Sequence, residues 1–296
     1  MGPSVSDASA SIGILGGSGL YALAGFDEPR EVPVSTPFGP PSEPPVVGTI
    51  GGRSVAFLAR HGRQHRLLPS EVNYRANVYA LKVLGVERVF SASAVGSMRE
   101  DVHPKDVLVP DQLIDRTHSR ASTFFGGGVA AHVSFADPFC PELRRLLIAA
   151  AVREGATVHR AGTYLCMEGP AFSTRAESRL YRSWGVDVIG MTNLTEAKLA
   201  REAEICYATL ALVTDYDCWH EEEEDVSVET LVSNLKANAA LAARALRTAV
   251  LATPPKRASC TCGDALKGAL ITSREDIPPE TKRKLRPILG RYVDAE

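Results

Sequence analysis

The stretch Ser11-Ile-Gly-Ile-Leu15-Gly16-Gly17-Ser18-Gly19 sets a short apolar run of strand character directly before a glycine-rich turn. A strand that exits into glycines exposes consecutive backbone N–H groups, and the Ser18 hydroxyl adds a donor, so the turn makes an oxyanion cradle. A tight strand exit alone would account for the glycines but not for the serine. Gly17-x-Gly19-x-x-Ala22 also satisfies the dinucleotide-binding fingerprint. That fingerprint needs a long helix next and an acidic residue about 20 positions on. The chain instead carries Pro29, Pro33, Pro37, Pro40, Pro41, Pro44 and Pro45, and seven prolines in seventeen residues exclude a helix. No nicotinamide or flavin cofactor is expected.

Outward from this turn, strand-like runs recur at 54–58, 86–92, 106–109, 163–166, 186–190 and 206–214. Helical patterns lie between several of them, at 74–84, 141–154, 175–184, 196–204 and 227–250. Leu143, Leu146, Leu147 and Ala150 share one helix face, and Thr174-Arg-Ala-Glu177 reads as a capping box. This alternation predicts an α/β fold: a mixed, largely parallel central β-sheet flanked by helices, in a single domain. Residues 1–10 read as a disordered leader, 11–254 as the domain, and 255–296 as a C-terminal tail carrying Cys260-Thr-Cys262. The leader has no secretory pattern, and Pro3 sits awkwardly in its nominal myristoylation motif. The basic stretch Lys282, Arg283, Lys284, Arg286 reads as a solvated helix face.

The 296 residues carry 33 basic and 35 acidic side chains, for a net charge of −2, so no basic stripe points to nucleic acid. No apolar run approaches the ~20 residues of a membrane helix. Six cysteines are too few for a disulfide scaffold, and Cys140, Cys166, Cys206 and Cys218 lie singly among apolar or aromatic residues. The chain reads as a soluble, cytoplasmic protein.

Three strand-end loops could meet around one phosphate-sized anion. They are the Ser18 turn, Arg60-His61-Gly62-Arg63-Gln64-His65, and Ser93-Ala-Val-Gly96-Ser97, read as a small turn. An arginine beside a histidine offers an anion bidentate and single hydrogen bonds; an exposed basic loop is the alternative. Thr214-Asp215-Tyr216-Asp217 ends the most apolar strand, where two carboxylates are costly unless used or paired. They suit a general acid and a hydrogen-bond acceptor. As half a metal site they lack a completing histidine pattern, so no metal is expected. His132 is a pocket candidate or a satisfied structural histidine. No GxSxG elbow and no P-loop occurs, which leaves serine hydrolase and P-loop nucleotidase without support.

Taken in order, several motifs resemble the trimeric purine nucleoside phosphorylase family across about four fifths of the chain. They are Gly16-Gly-Ser-Gly-Leu20, Thr36-Pro-Phe-Gly39, Ala59-Arg-His-Gly-Arg-Gln-His65, Asn73-Tyr-Arg-Ala-Asn77 and Gly96-Ser97. Asp111-Gln-Leu-Ile-Asp115, Asp137-Pro-Phe-Cys140, Glu168-Gly-Pro170, Phe172-Ser-Thr-Arg-Ala-Glu-Ser178 and Thr214-Asp-Tyr-Asp-Cys-Trp219 follow. The resemblance implies a distorted central sheet, a homotrimer or a dimer of trimers, and phosphorolysis of 5′-methylthioadenosine to adenine and 5-methylthioribose 1-phosphate. Phosphate is a co-substrate in that reaction, and no cofactor is implied. By position, Ser18, Arg60, His61, Ser93 and Thr192 would bind phosphate. Met191 would pack on the ribose, Phe172 on the purine, and Ala94 would lie against the substrate. Asp215 would protonate N7 and Asp217 would hold the base. Val228, Leu231 and Val232 would line the methylthio pocket, completed by His132 of a neighbouring subunit. A 6-oxopurine nucleoside or methylthioinosine is the competing substrate class, and a non-catalytic nucleoside-binding protein the competing function. Two positions depart from the family: Ala171 replaces an arginine of many relatives, and Gly190 replaces an asparagine, which is expected to loosen sugar selectivity.

Overall fold

The computed structural model describes residues 8–17, 25–220 and 228–294, without the side chains of 228–233 and 235–237. The opening strand β1 (Ile12–Gly16) is buried throughout and lies between β4 (Arg53–Ala59) and β5 (Arg88–Ser97), parallel to both. β2 (Asp27–Glu31) and β3 (Val46–Ile50) extend the sheet beyond β4 as antiparallel neighbours. On the far side β5 forks. Its whole length pairs in parallel with β11 (Cys206–Tyr216), while Gly96 and Ser97 pair antiparallel with β10 (Val188–Gly190). One branch continues through β9 (Thr163–Met167) to β7 (Gln112–Arg116). The other continues from β11 through β6 (Val107–Leu108) to β8 (Val158–His159). The mixed, distorted sheet predicted from sequence is therefore present.

Helices cover both faces: α1 (Tyr74–Val83), α2 (Pro141–Arg153), α3 (Arg175–Ser183), α4 (Asn193–Glu202) and α5 (Val228–Ala252). The capping box at Thr174 and Glu177 forms as its spacing predicts. β11 is buried at all eleven positions, as a near-continuous apolar run demands of a strand covered on both faces.

Three sequence expectations change. Ser93–Ser97 is not a turn but the second half of β5, because Ser93 to Ser97 keep pairing with Ala211 to Tyr216. β2, β7 and β8 carry too little apolar alternation to announce themselves, and β3 follows directly on the proline-laden stretch; β2 is exposed at all five positions. The stretch 255–296, read as a C-terminal tail, packs on the rest of the chain. It contributes α6 (Pro279–Val293), whose Leu285, Ile288 and Leu289 sit in the same core cluster as Leu81 and Leu199, although its other face carries the basic residues. No helix among the described residues is long and apolar enough to cross a membrane.

Candidate active site

A cavity of about 310 Å³ opens where β4, β5 and β11 reach their C-terminal ends. Of the residues expected in the site, Arg60, His61, Ser93, Ala94, Phe172, Met191, Thr192, Asp215 and Asp217 all line it. Ser18 lies outside the described residues, as do the side chains of Val228, Leu231 and Val232. His132 is exposed and does not line this cavity.

At one end stands Arg60, the first residue after β4, with almost no exposure. The bidentate fork expected for an anion is turned instead on Glu196 of α4, through Nε to Oε1 and Nη2 to Oε2. Nη2 also donates to Ser91 Oγ (2.6 Å) and Nη1 to the Ala92 carbonyl (3.0 Å). Tyr207 completes the network by donating to Glu196 Oε2 at 2.7 Å. Burial alone would lower the pKa of the guanidinium, but the adjacent Glu196 carboxylate more than reverses this, so Arg60 stays charged. Nothing in the local sequence marks Glu196; its only signal is a carboxylate on the apolar face of a helix.

His61 donates from Nδ1 to the Leu67 carbonyl at 2.9 Å and stacks on His65 at 4.3 Å. Burial, and then the neighbouring Arg60 charge, push its pKa down to about 3. The ring is neutral at ordinary pH, and the Nδ1 bond leaves Nε2 as an acceptor. Ser93 Oγ lies 3.3 Å from the Tyr164 hydroxyl, and Thr192 stands at the N-cap position of α4 with no capping side-chain hydrogen bond, where helical N–H groups favour an anion. This end therefore offers hydroxyls, helical N–H groups and a compensated arginine rather than a net positive charge.

The other end is built by a bulge. Opposite β5 the register of β11 slips between Val213 and Asp215, so Thr214 is the extra residue. A bulge re-aims the following side chain and leaves ladder groups without strand partners. Asn238 of α5 takes the Val213 carbonyl at 2.9 Å, and Asn234, one turn earlier, takes the Thr214 carbonyl at 2.6 Å. The Thr214 hydroxyl lies 2.5 Å from Asp215 Oδ2 and 3.2 Å from the Val95 carbonyl, fixing the carboxyl's orientation. Gly96 stands opposite; a Cβ there would meet Asp215 Oδ1 at 3.0 Å and crowd the carboxyl.

Asp217 is also buried. Burial raises its pKa, although the hydroxyls of Ser178 and Ser173 pull it back. Its Oδ2 has no hydrogen-bond partner among the described residues, so it is an acceptor facing a cavity. Phe172 remains half exposed at the rim. The buried side chain of Arg120 holds the Met191 carbonyl (2.5 Å) and the Glu168 carbonyl (2.6 Å), joining two lining loops. Gly190 leaves no hole: a Cβ there would stand 2.0 Å from the Tyr164 hydroxyl, which fills the space the absent side chain vacates.

A buried strand end thus sets anion donors against two carboxylates, one of them with an oxygen left without a partner among the described residues, across a single small cavity. A family model described as the phosphorylase superfamily matches residues 11–251, and the chain belongs to that superfamily. It is 59% identical over 283 residues to S-methyl-5′-thioadenosine phosphorylase of Geobacter sulfurreducens, covering 95% of this chain and 99% of that one. A methylthioadenosine phosphorylase from an Antarctic soil metagenomic library superposes with a TM-score of 0.91 at 51% identity, over 95% of this chain and 99% of that one. A variant of the adenosine/methylthioadenosine phosphorylase of Schistosoma mansoni, in complex with methylthioadenosine, superposes at 0.78 and 36% identity, over 82% and 91%.

The bulge yields a prediction. Asn238→Leu removes one of two donors to the Val213 carbonyl, which keeps the Lys105 N–H at 2.8 Å, costing ~0.5–1.5 kcal/mol of stability in urea unfolding. Turnover should fall by ~10-fold or more through misplacement of Asp215. Unchanged turnover in the folded variant would mean that the bulge positions Asp215 without Asn238.

Proposed function

We propose that the protein cleaves 5′-methylthioadenosine by phosphorolysis, releasing adenine and 5-methylthioribose 1-phosphate. The observation that carries this reading is the apposition of an anion end and a two-carboxylate end in one cavity of about 310 Å³. Leaving of the purine builds positive charge on the sugar and negative charge on the base. A bound phosphate dianion serves as both counter-charge and nucleophile, so positioning supplies most of the catalysis.

In this mechanism Ser18, Ser93, Thr192 and Arg60 donate to the phosphate oxygens, and the acceptor Nε2 of His61 takes the phosphate's own P–O–H. Ala94 and Met191 pack on the sugar, and Phe172 closes over the purine. Asp215 delivers its proton to N7 as the C1′–N9 bond breaks and a phosphate oxygen bonds to C1′. Asp217 accepts from the exocyclic amine. A 6-oxo group would set acceptor against acceptor, which disfavours the 6-oxopurine alternative. Val228, Leu231 and Val232 form the apolar wall for the thiomethyl group. No cofactor or metal takes part in this mechanism.

A homotrimer belongs to the same proposal, because His132 is exposed here and serves a site only if that site is on a neighbouring chain. Six unbridged cysteines suit the reducing cytoplasm. Sedimentation at assay concentration checks the assembly; an active monomer would remove His132 from the site.

The substrate reading is tested by following base release from 5′-methylthioadenosine and 5′-methylthioinosine in phosphate buffer. The adenine compound should be strongly preferred, and Asp215→Asn should lower its turnover by ~10²–10⁴ with the fold intact. Equal rates on both substrates, or near-full activity of Asp215→Asn, would sink the roles given to the carboxylates.

A further inference from the structure

Away from the cavity, four cysteines that are scattered in sequence meet. Cys140 is the N-cap residue of α2, Cys206 opens β11, and Cys260 and Cys262 arrive from the C-terminal segment. Their Sγ atoms all lie within 4.8 Å of one another, and Cys206 and Cys260 are 3.4 Å apart. No bridge joins any of them. Four sulfurs around a tetrahedral zinc ion, each at about 2.3 Å, would stand about 3.8 Å apart, so the cluster needs only a small contraction. Three of the four are buried, and the surroundings are apolar apart from the segment that delivers the tail pair.

That segment is anchored. Glu142, in the first turn of α2, accepts from the backbone N–H and hydroxyl of Ser259 and from the N–H of Cys260 at 2.9 Å. Its own charge is thereby occupied by hydrogen bonds beside the sulfurs. Arg257 donates to the Glu204 carbonyl at 3.0 Å, holding the start of the same segment. The start of α2 beside Cys140 supplies a positive potential that favours thiolate. A solvent-accessible cavity lined by Lys82, Glu87, Arg257 and Cys260 reaches the cluster from outside and provides an entry path.

We propose that Cys140, Cys206, Cys260 and Cys262 form a tetrathiolate site for a thiophilic divalent cation, zinc foremost, which clips the C-terminal segment onto the start of β11. Four sulfurs in a closed shell leave no open position, so the site is structural and not part of the phosphorolysis. Each thiol that ligates gives its proton to solvent, and no oxidant or reductant is involved. The one-residue spacing of Cys260 and Cys262 allows both to reach a single ion, whereas a bridge between them would close a small, strained ring.

The test is a Co²⁺ titration of the reduced full chain, followed by Zn²⁺. Expected are a thiolate-to-cobalt charge-transfer band in the near ultraviolet and intense tetrahedral ligand-field bands in the red. They should saturate at about one equivalent per chain and vanish on adding zinc. Because Cys206 lies in the core, the variant is Cys260→Ser/Cys262→Ser in the segment, with urea unfolding to confirm its fold. It should lose the bands. Absence of the bands in the reduced wild-type chain would overturn the site, and so would their survival in that variant. Chain isolated without reductant that lacks zinc and shows four of its six thiols oxidised would also overturn it, assigning the cluster to disulfides instead.

Discussion

The buried ion pair between Arg60 and Glu196 ties together the elements that make the cavity. Arg60 follows β4, Ser91 and Ala92 belong to β5, Glu196 to α4 and Tyr207 to β11, and all five meet in one hydrogen-bonded network. Two charges with almost no exposure are costly apart, and removing one partner of such a pair typically destabilises by ~3–5 kcal/mol. Together they hold the C-terminal edge of the sheet in register with the start of α4. Glu196 also cancels the charge of Arg60, and His61 is neutral, so anion affinity must come from oriented donors more than from long-range attraction.

A second device acts on the other half of the cavity. A regular β11 would point successive side chains to alternate faces; the extra residue Thr214 breaks that alternation just before Asp215. The two carbonyls released there are met by asparagines one helical turn apart on α5. The backbone that carries the carboxylates is therefore held by α5, which couples their placement to the position of that helix.

How much of this was legible in the sequence follows from which forces leave local marks. β1, the first half of β5 and most of β11 are largely apolar runs, and the helices between them carry 3.6-residue periodicity, so the α/β architecture could be read directly. Edge strands such as β2 are polar and exposed, and only pairing across the chain defines them. Nine expected site residues meet in one cavity because strand ends gather there. Glu196, Tyr164, Arg120 and the pair Asn234 and Asn238 act through contacts over 20 to 136 positions, which spacing does not reveal. The same holds for the four cysteines. Cys260-Thr-Cys262 was visible as a motif, but its partners Cys140 and Cys206 lie in separate elements.

The most direct measurement is ³¹P NMR of the protein turning over 5′-methylthioadenosine in inorganic phosphate. The apposition of anion end and carboxylates predicts a sugar 1-phosphate resonance that grows in step with adenine, and no adenine release when phosphate is omitted. Adenine appearing without a phosphate ester, at the same rate with or without phosphate, would make water the nucleophile and contradict the account.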